Sequence, residues 1–142
     1  MDVLASRILL RPTDLDRAQR FYRDVIGLAV YREFGDETHR GVVFFLGGGF
    51  LEVSGSGEHD SRDSNVSLWL QVRDVHVEHR RLASRGVPII RGPRREAWGL
   101  IEMWITDPDG VRIALVEVPE DHPLRRDTRN GTTDVRTHPP KV

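Results

Sequence analysis

Cysteine is absent from this 142-residue chain, which removes disulfides, thiolate nucleophiles and Cys-ligated metals from consideration. A surplus of positive charge is missing too: 21 Lys and Arg face 22 Asp and Glu, for a formal net charge of -1. Capture of a nucleic-acid backbone normally needs such a surplus, so that class is set aside. No apolar run approaches the ~18 to 20 residues of a membrane-spanning helix. The opening residues Met1 to Arg7 show no basic leader followed by an apolar core. The expectation is a cytoplasmic protein with neither nucleic acid nor membrane as partner. Aromatic residues make up only 7% of the chain, so the placement of its three Trp is informative.

What remains, 38% hydrophobic and 30% charged, suits one globular domain. Arg7 to Arg11 is a short apolar strand ending at Pro12, which has no N–H for a ladder. Thr13 or Asp14 caps a helix whose apolar stripe is Leu15, Ala18, Tyr22, Val25 and Ile26, and Gly27 ends it. Strands are expected at Ala29 to Phe34, Gly41 to Leu46 and Phe50 to Ser54. The polar stretch 55–65 reads as a linker. The pattern then restarts, with a strand at Val66 to Val72 and a helix from Asp74 to Gly86. Further strands are expected at Val87 to Ile90, Leu100 to Thr106 and Arg112 to Val118.

The helix caps Asp14 and Asp74 lie 60 residues apart, the closing glycines Gly27 and Gly86 59, and matched final strands set Glu52 against Ala114 at 62. Nearly constant offsets argue for an internal duplication. The expected domain therefore covers 6–118, with module 1 at 6–54 and module 2 at 66–118. A polar, proline-containing tail over 119–142 reads as flexible.

Apolar parity marks the side of each strand that a helix covers. Ile8 and Leu10 oppose Arg7, Leu9 and Arg11; Leu51 and Val53 oppose Phe50 and Glu52. In the second half Leu68 and Leu70 oppose Trp69 and Gln71, and Met103 opposes Glu102 and Trp104. Ile113 and Leu115 oppose Arg112 and Ala114. Each strand thus has an aliphatic face and a mixed face. The mixed set (Arg7, Arg11, Phe50, Glu52, Trp69, Gln71, Glu102, Trp104, Arg112) would line a concave small-molecule pocket if both sheets curve alike. An ordinary solvated sheet face is the alternative. His76 and His79 lie on one helix with no third ligand at suitable spacing, and a solvated helix face accounts for them.

Three groups of residues resemble the vicinal oxygen chelate superfamily of glyoxalases, bleomycin-resistance proteins and extradiol dioxygenases. They are Asp14–Ala18 with Phe21–Leu28, the Phe50–Val53 strand, and Trp98-Gly99 followed by Asp107-Pro108-Asp109-Gly110. The resemblance implies an α+β fold of two βαβββ modules forming a U-shaped mixed sheet around a cavity, commonly completed in a homodimer. It also implies four metal-ligand positions, which fall on Arg7, Glu52, Ser67 and Ala114. Only Glu52 is a suitable donor there, because a guanidinium has no lone pair to give and a methyl group offers nothing. No metal and no cofactor are therefore expected. The favoured reading is a metal-free binding protein, similar to the bleomycin-resistance branch, that sequesters an aromatic natural product or antibiotic. Trp69, Trp104 and Trp98 would stack on the ligand while Arg7, Arg11, Glu52 and Glu102 orient it. A lyase, epimerase or dioxygenase with Glu52 as base or with a displaced metal is the alternative, and a protein-binding module is a third.

Overall fold

Alternation and capping predict two strand–helix–strand–strand–strand units. Both are present in a computed structural model of the protein, which describes residues 1–36, 40–57 and 66–124. Module 1 contains β1 (Arg7–Leu10), α1 (Leu15–Arg20), β2 (Val30–Phe34), β3 (Gly41–Leu46) and β4 (Gly49–Ser54). Module 2 contains β5 (Ser67–Val72), α2 (Val75–Ser84), β6 (Ile89–Arg95), β7 (Ile101–Thr106) and β8 (Arg112–Glu117). Most of the expected linker, residues 58–65, and most of the expected tail, residues 125–142, lie outside the described residues.

Each module builds one four-stranded mixed sheet, in the orders β1-β4-β3-β2 and β5-β8-β7-β6. Pairs β1–β4 and β5–β8 are parallel and the others antiparallel. The duplication extends to the ladders. Arg7 stands opposite Phe50 and Leu9 opposite Glu52; at the same places in module 2, Ser67 stands opposite Arg112 and Trp69 opposite Ala114.

Both helices begin where an aspartate in extended backbone can satisfy free N–H groups. Asp14 accepts from the Arg17 N–H at 3.0 Å, and Asp74 from the His76 and Val77 N–H groups at 2.9 Å each. Such caps contribute about 1 kcal/mol apiece. Gly27, with φ of 85°, ends the first helix in a conformation that side chains with a Cβ avoid.

Two elements depart from the sequence reading. The last turn of the first helix, Phe21–Ile26, is π-helical, and the adjacent Phe21 and Tyr22 are both buried, edge to face at 5.2 Å. The strand expected at Val87 to Ile90 lies instead at Ile89–Arg95 and contains Gly92 and Pro93. It is an edge strand with two register shifts against β7, the setting in which a residue without an N–H is tolerated.

The aliphatic faces of both sheets share one core beneath the helices. Phe44, Leu51 and Val53 enter it from module 1, and Leu68, Met103, Ile105 and Ile113 from module 2. Polar contacts lock the modules across it. The Tyr22 hydroxyl donates to Asp107 Oδ2 at 2.8 Å, while Asp107 Oδ1 accepts the N–H groups of Asp109 at 2.9 Å and Val111 at 2.8 Å. Burial pushes the Tyr22 phenol well above its ordinary range and raises the Asp107 carboxyl as well. Arg81 donates to the carbonyls of Val25 at 2.7 Å and Ile26 at 3.2 Å, and Thr13 hydrogen-bonds Asp109.

Removing the phenol oxygen leaves a buried carboxylate short of one donor. Tyr22→Phe is expected to lower stability by about 1 to 3 kcal/mol with secondary structure retained. Urea unfolding followed by circular dichroism measures it, and an unchanged midpoint would show that the bridge does not tie the modules.

Candidate functional site

With the aliphatic faces turned inward, the mixed faces of both sheets point outward. On module 1 the centre is Glu52, buried despite its charge, on β4 between β1 and β3. Arg7 Nη1 donates to Glu52 Oε2 at 2.8 Å. The Ser54 hydroxyl donates to Oε1 at 2.7 Å and itself accepts from Arg11 Nη1 at 2.7 Å. Arg11 also stands 3.6 Å from Oε1. The Ser54 hydrogen bond, with help from Arg7 and Arg11, outweighs the cost of burial and holds the carboxyl below its ordinary range. Gly41 makes room here, since a Cβ on it would lie 2.4 Å from the Phe34 ring and 2.6 Å from Ser54 Cβ.

Beside this cluster stands an aromatic patch. Tyr31 packs on Phe45 and Phe50 with ring centroids 5.2 and 4.7 Å away, and Phe45 is 5.7 Å from Phe50. Tyr31 and Phe45 are half exposed. Neither was picked out from the sequence. Phe45 shares the parity of Val43, which stands opposite Glu52, so alternation along β3 could have found it. Tyr31 sits at a register shift between Val30 and Arg32, and a bulge leaves no parity to read.

On module 2 the centre is Ala114. Its Cα is the ladder partner of Trp69 on β5 and of Trp104 on β7, so two indoles flank one methyl group. Trp104 packs on the small cluster of Leu100, Ala114, Val116 and Val118, whereas Trp69 is 50% exposed. Trp98 precedes β7, and its Nε1 donates to the buried Glu102 at 2.9 Å. The His122 ring meets the Trp98 carbonyl at 2.9 Å, which docks the first residues after β8 on this corner. Ile90, Arg91, Trp104 and Arg112 line an open cavity of about 270 Å³. Arg91 escaped the sequence reading because it lies in the displaced strand.

The sequence-derived set therefore falls into two groups on separate sheets. Arg7, Arg11, Phe50 and Glu52 belong to the first, and Trp69, Gln71, Trp98, Glu102, Trp104 and Arg112 to the second. Of the second group, Trp69 and Gln71 border a cavity of about 500 Å³ at the module seam together with Phe45 of module 1, and no member of the first group lines it.

Residues 5–115 match the family model of the Glyoxalase/Bleomycin resistance protein/Dioxygenase superfamily. The chain belongs to this superfamily. A probable lactoylglutathione lyase from Synechocystis sp. is 24% identical over 120 residues, covering 77% of this chain and 91% of that protein. A crystal structure of a superfamily member from Sphaerobacter thermophilus is 25% identical with a TM-score of 0.65, covering 82% of this chain and 98% of that one. An antibiotic binding protein from Streptomyces sp. CB03234 has the same fold, with a TM-score of 0.64 at 21% identity and coverage of 83% and 98%. The fold is thus the α+β glyoxalase-like one with two modules.

Metal-dependent superfamily members would place ligands at the positions held here by Arg7, Glu52, Ser67 and Ala114. These residues do not fit a divalent cation. One carboxylate is offered, and it is occupied by a guanidinium at 2.8 Å that carries positive charge where the metal would sit. Ala114 has no donor atom. Among the described residues no group of three or more His, Cys, Asp or Glu is arranged to hold a metal elsewhere.

Glu52 is depressed in the folded state, so its stabilising contribution is complete above the unfolded pKa and is lost as pH falls through the folded one. Ser54→Ala removes the largest stabilising hydrogen bond of the carboxylate. The Glu52 pKa is expected to rise and the acid loss of stability to begin at higher pH. Side-chain carboxyl ¹³C NMR titration reads the shift, and a titration unmoved by the substitution would refute the assigned cause.

Proposed function

We propose that this protein is a metal-free small-molecule binding protein that holds an aromatic compound reversibly, such as a natural product or antibiotic. The observation that carries this reading is Ala114 lying between Trp69 and Trp104 on one sheet face. Neighbouring strands run ~4.8 Å apart, so the two tryptophan backbones stand roughly 10 Å apart across the methyl group. Stacked or tilted aromatic pairs have centroids ~4.5 to 7 Å apart. Ala114 itself is buried, and the half-exposed Trp69 and the cavity wall of Trp104 are the indole surfaces a planar ring can reach on this face. The half-exposed Tyr31 and Phe45, packed with the more covered Phe50, offer further aromatic area on the other sheet. A homodimer that sets the module 1 face of one chain against the module 2 face of another would enclose the ligand, as in the expectation from the superfamily. The fold shared with an antibiotic binding protein is compatible with sequestration, which needs affinity and no turnover.

The second reading, a superfamily enzyme, is favoured by relatives named as probable lactoylglutathione lyases. In it Glu52 would act as base. Its geometry argues otherwise, because both carboxylate oxygens already accept hydrogen bonds and a depressed pKa makes a weaker base.

Titration with aromatic natural products, quinones among them, followed by tryptophan fluorescence tests the proposal. Saturable binding is expected, insensitive to a chelator and weakened about tenfold or more by Trp104→Ala, a loss of about 1.4 kcal/mol. Turnover of a glutathione hemithioacetal that requires added divalent metal and disappears in Glu52→Gln would overturn it.

A further inference from the structure

We infer that the bound molecule is an aromatic anion, its ring against Trp104 and its carboxylate or equivalent planar oxyanion on Arg112. The inference rests on the small-molecule reading above and names the class of ligand. It begins with the sign of the charge on the open faces. The whole chain has a formal charge of -1, yet these faces are basic. On module 2, Arg91 and Arg94 share the single carboxylate of Glu96, and Glu102 is engaged by the Trp98 indole. The Arg112 side chain makes no hydrogen bond or ion pair among the described residues. On module 1, Arg7 and Arg11 share Glu52. Each face thus has more guanidinium than carboxylate, and the excess on module 2 is concentrated at Arg112.

Position then gives that excess a role. Arg112 stands opposite Ser67 and Thr106, two residues along β8 from Ala114, so its side chain leaves the sheet on the same face as the two indoles. With Arg91, Ile90 and Trp104 it bounds the cavity of about 270 Å³. Ile90 and Trp104 supply apolar walls, and two guanidinium groups border them. A neutral aromatic would fill this space but leave Arg112 unanswered, and a cation would meet repulsion from both arginines. A planar oxyanion accepts two parallel N–H bonds from a guanidinium fork, the match that lysine cannot reproduce. An excess of guanidinium over carboxylate on a face also steers an anion toward it.

Matched ligands separate charge from shape. Isothermal titration of the full-length protein at neutral pH would compare 2-naphthoate with 2-naphthamide, which share ring and outline and differ in charge. The acid is expected to bind about tenfold more tightly, with its advantage shrinking as salt rises. Arg112→Gln should bring the acid down to the affinity of the amide while leaving the amide unaffected, and Arg112→Lys should restore part of the difference. An unchanged melting temperature in both variants shows that an exposed position has been altered without unfolding. Trp104→Ala should weaken both ligands together. Equal affinity for acid and amide would overturn the anionic class and leave aromatic binding standing. Loss of both ligands in Arg112→Gln would equally overturn it, by making Arg112 a packing residue. Failure of 2-naphthoate to bind would end this inference, while the fluorescence panel judges the broader reading independently.

Discussion

The contact between the Tyr22 phenol and Asp107 decides how the two halves of this protein sit together. It spans 85 residues of sequence at 2.8 Å inside the shared core. The same carboxylate holds the Asp107-Pro108-Asp109-Gly110 turn through the N–H groups of Asp109 and Val111. A single buried acid therefore anchors both the last hairpin and the first helix. With each sheet's aliphatic side committed to that joint, the mixed sides have nowhere to go but outward. Everything proposed about ligands concerns those outward faces.

Duplication gave both halves the same frame and later substitution used it differently. At matching ladder positions module 1 has Arg7 and Glu52 and module 2 has Ser67 and Ala114. The first pair is an ion pair whose arginine is more than a third exposed, an arrangement of small net stability that sets positive charge against its carboxylate. The second has no charged group and sets the buried Ala114 between Trp69 and Trp104 in the ladder. One frame thus yields a polar, ion-paired centre on one sheet and an apolar centre flanked by two tryptophans on the other. A fold used elsewhere for metal chemistry lacks the donors for it here, which agrees with the principle that function resides in the site rather than in the fold.

Much of the architecture was legible because it depends on periods of two and 3.6 residues. The parity separating Leu51 and Val53 from Phe50 and Glu52, and Leu68 from Trp69, is the parity of the ladders. The aspartate caps and Gly27 marked the helix ends correctly. Legibility failed where the backbone breaks period. Tyr31 lies at a bulge, Arg91 and Arg94 lie on an edge strand with two register shifts, and the π-helical turn packs Phe21 beside Tyr22. Ser54 was passed over for a different reason. A serine at a strand end announces no chemistry until its hydroxyl is seen bridging Glu52 and Arg11.

Local order in the chain settled which residues face the core, that a βαβββ unit occurs twice, and that Arg7 and Ala114 bring no electron-pair donor to the mixed faces. Those conclusions follow from side-chain alternation and from the chemistry of individual groups, which need no partner to be known. Tertiary structure alone decided that both Glu52 oxygens are hydrogen-bonded and that Trp69 and Trp104 share Ala114. It also decided that, among the described residues, Arg112 has no carboxylate beside it while Arg91 and Arg94 on the same sheet face share Glu96. Such pairings depend on strand register and on contacts between segments tens of residues apart. No periodicity within a segment encodes them.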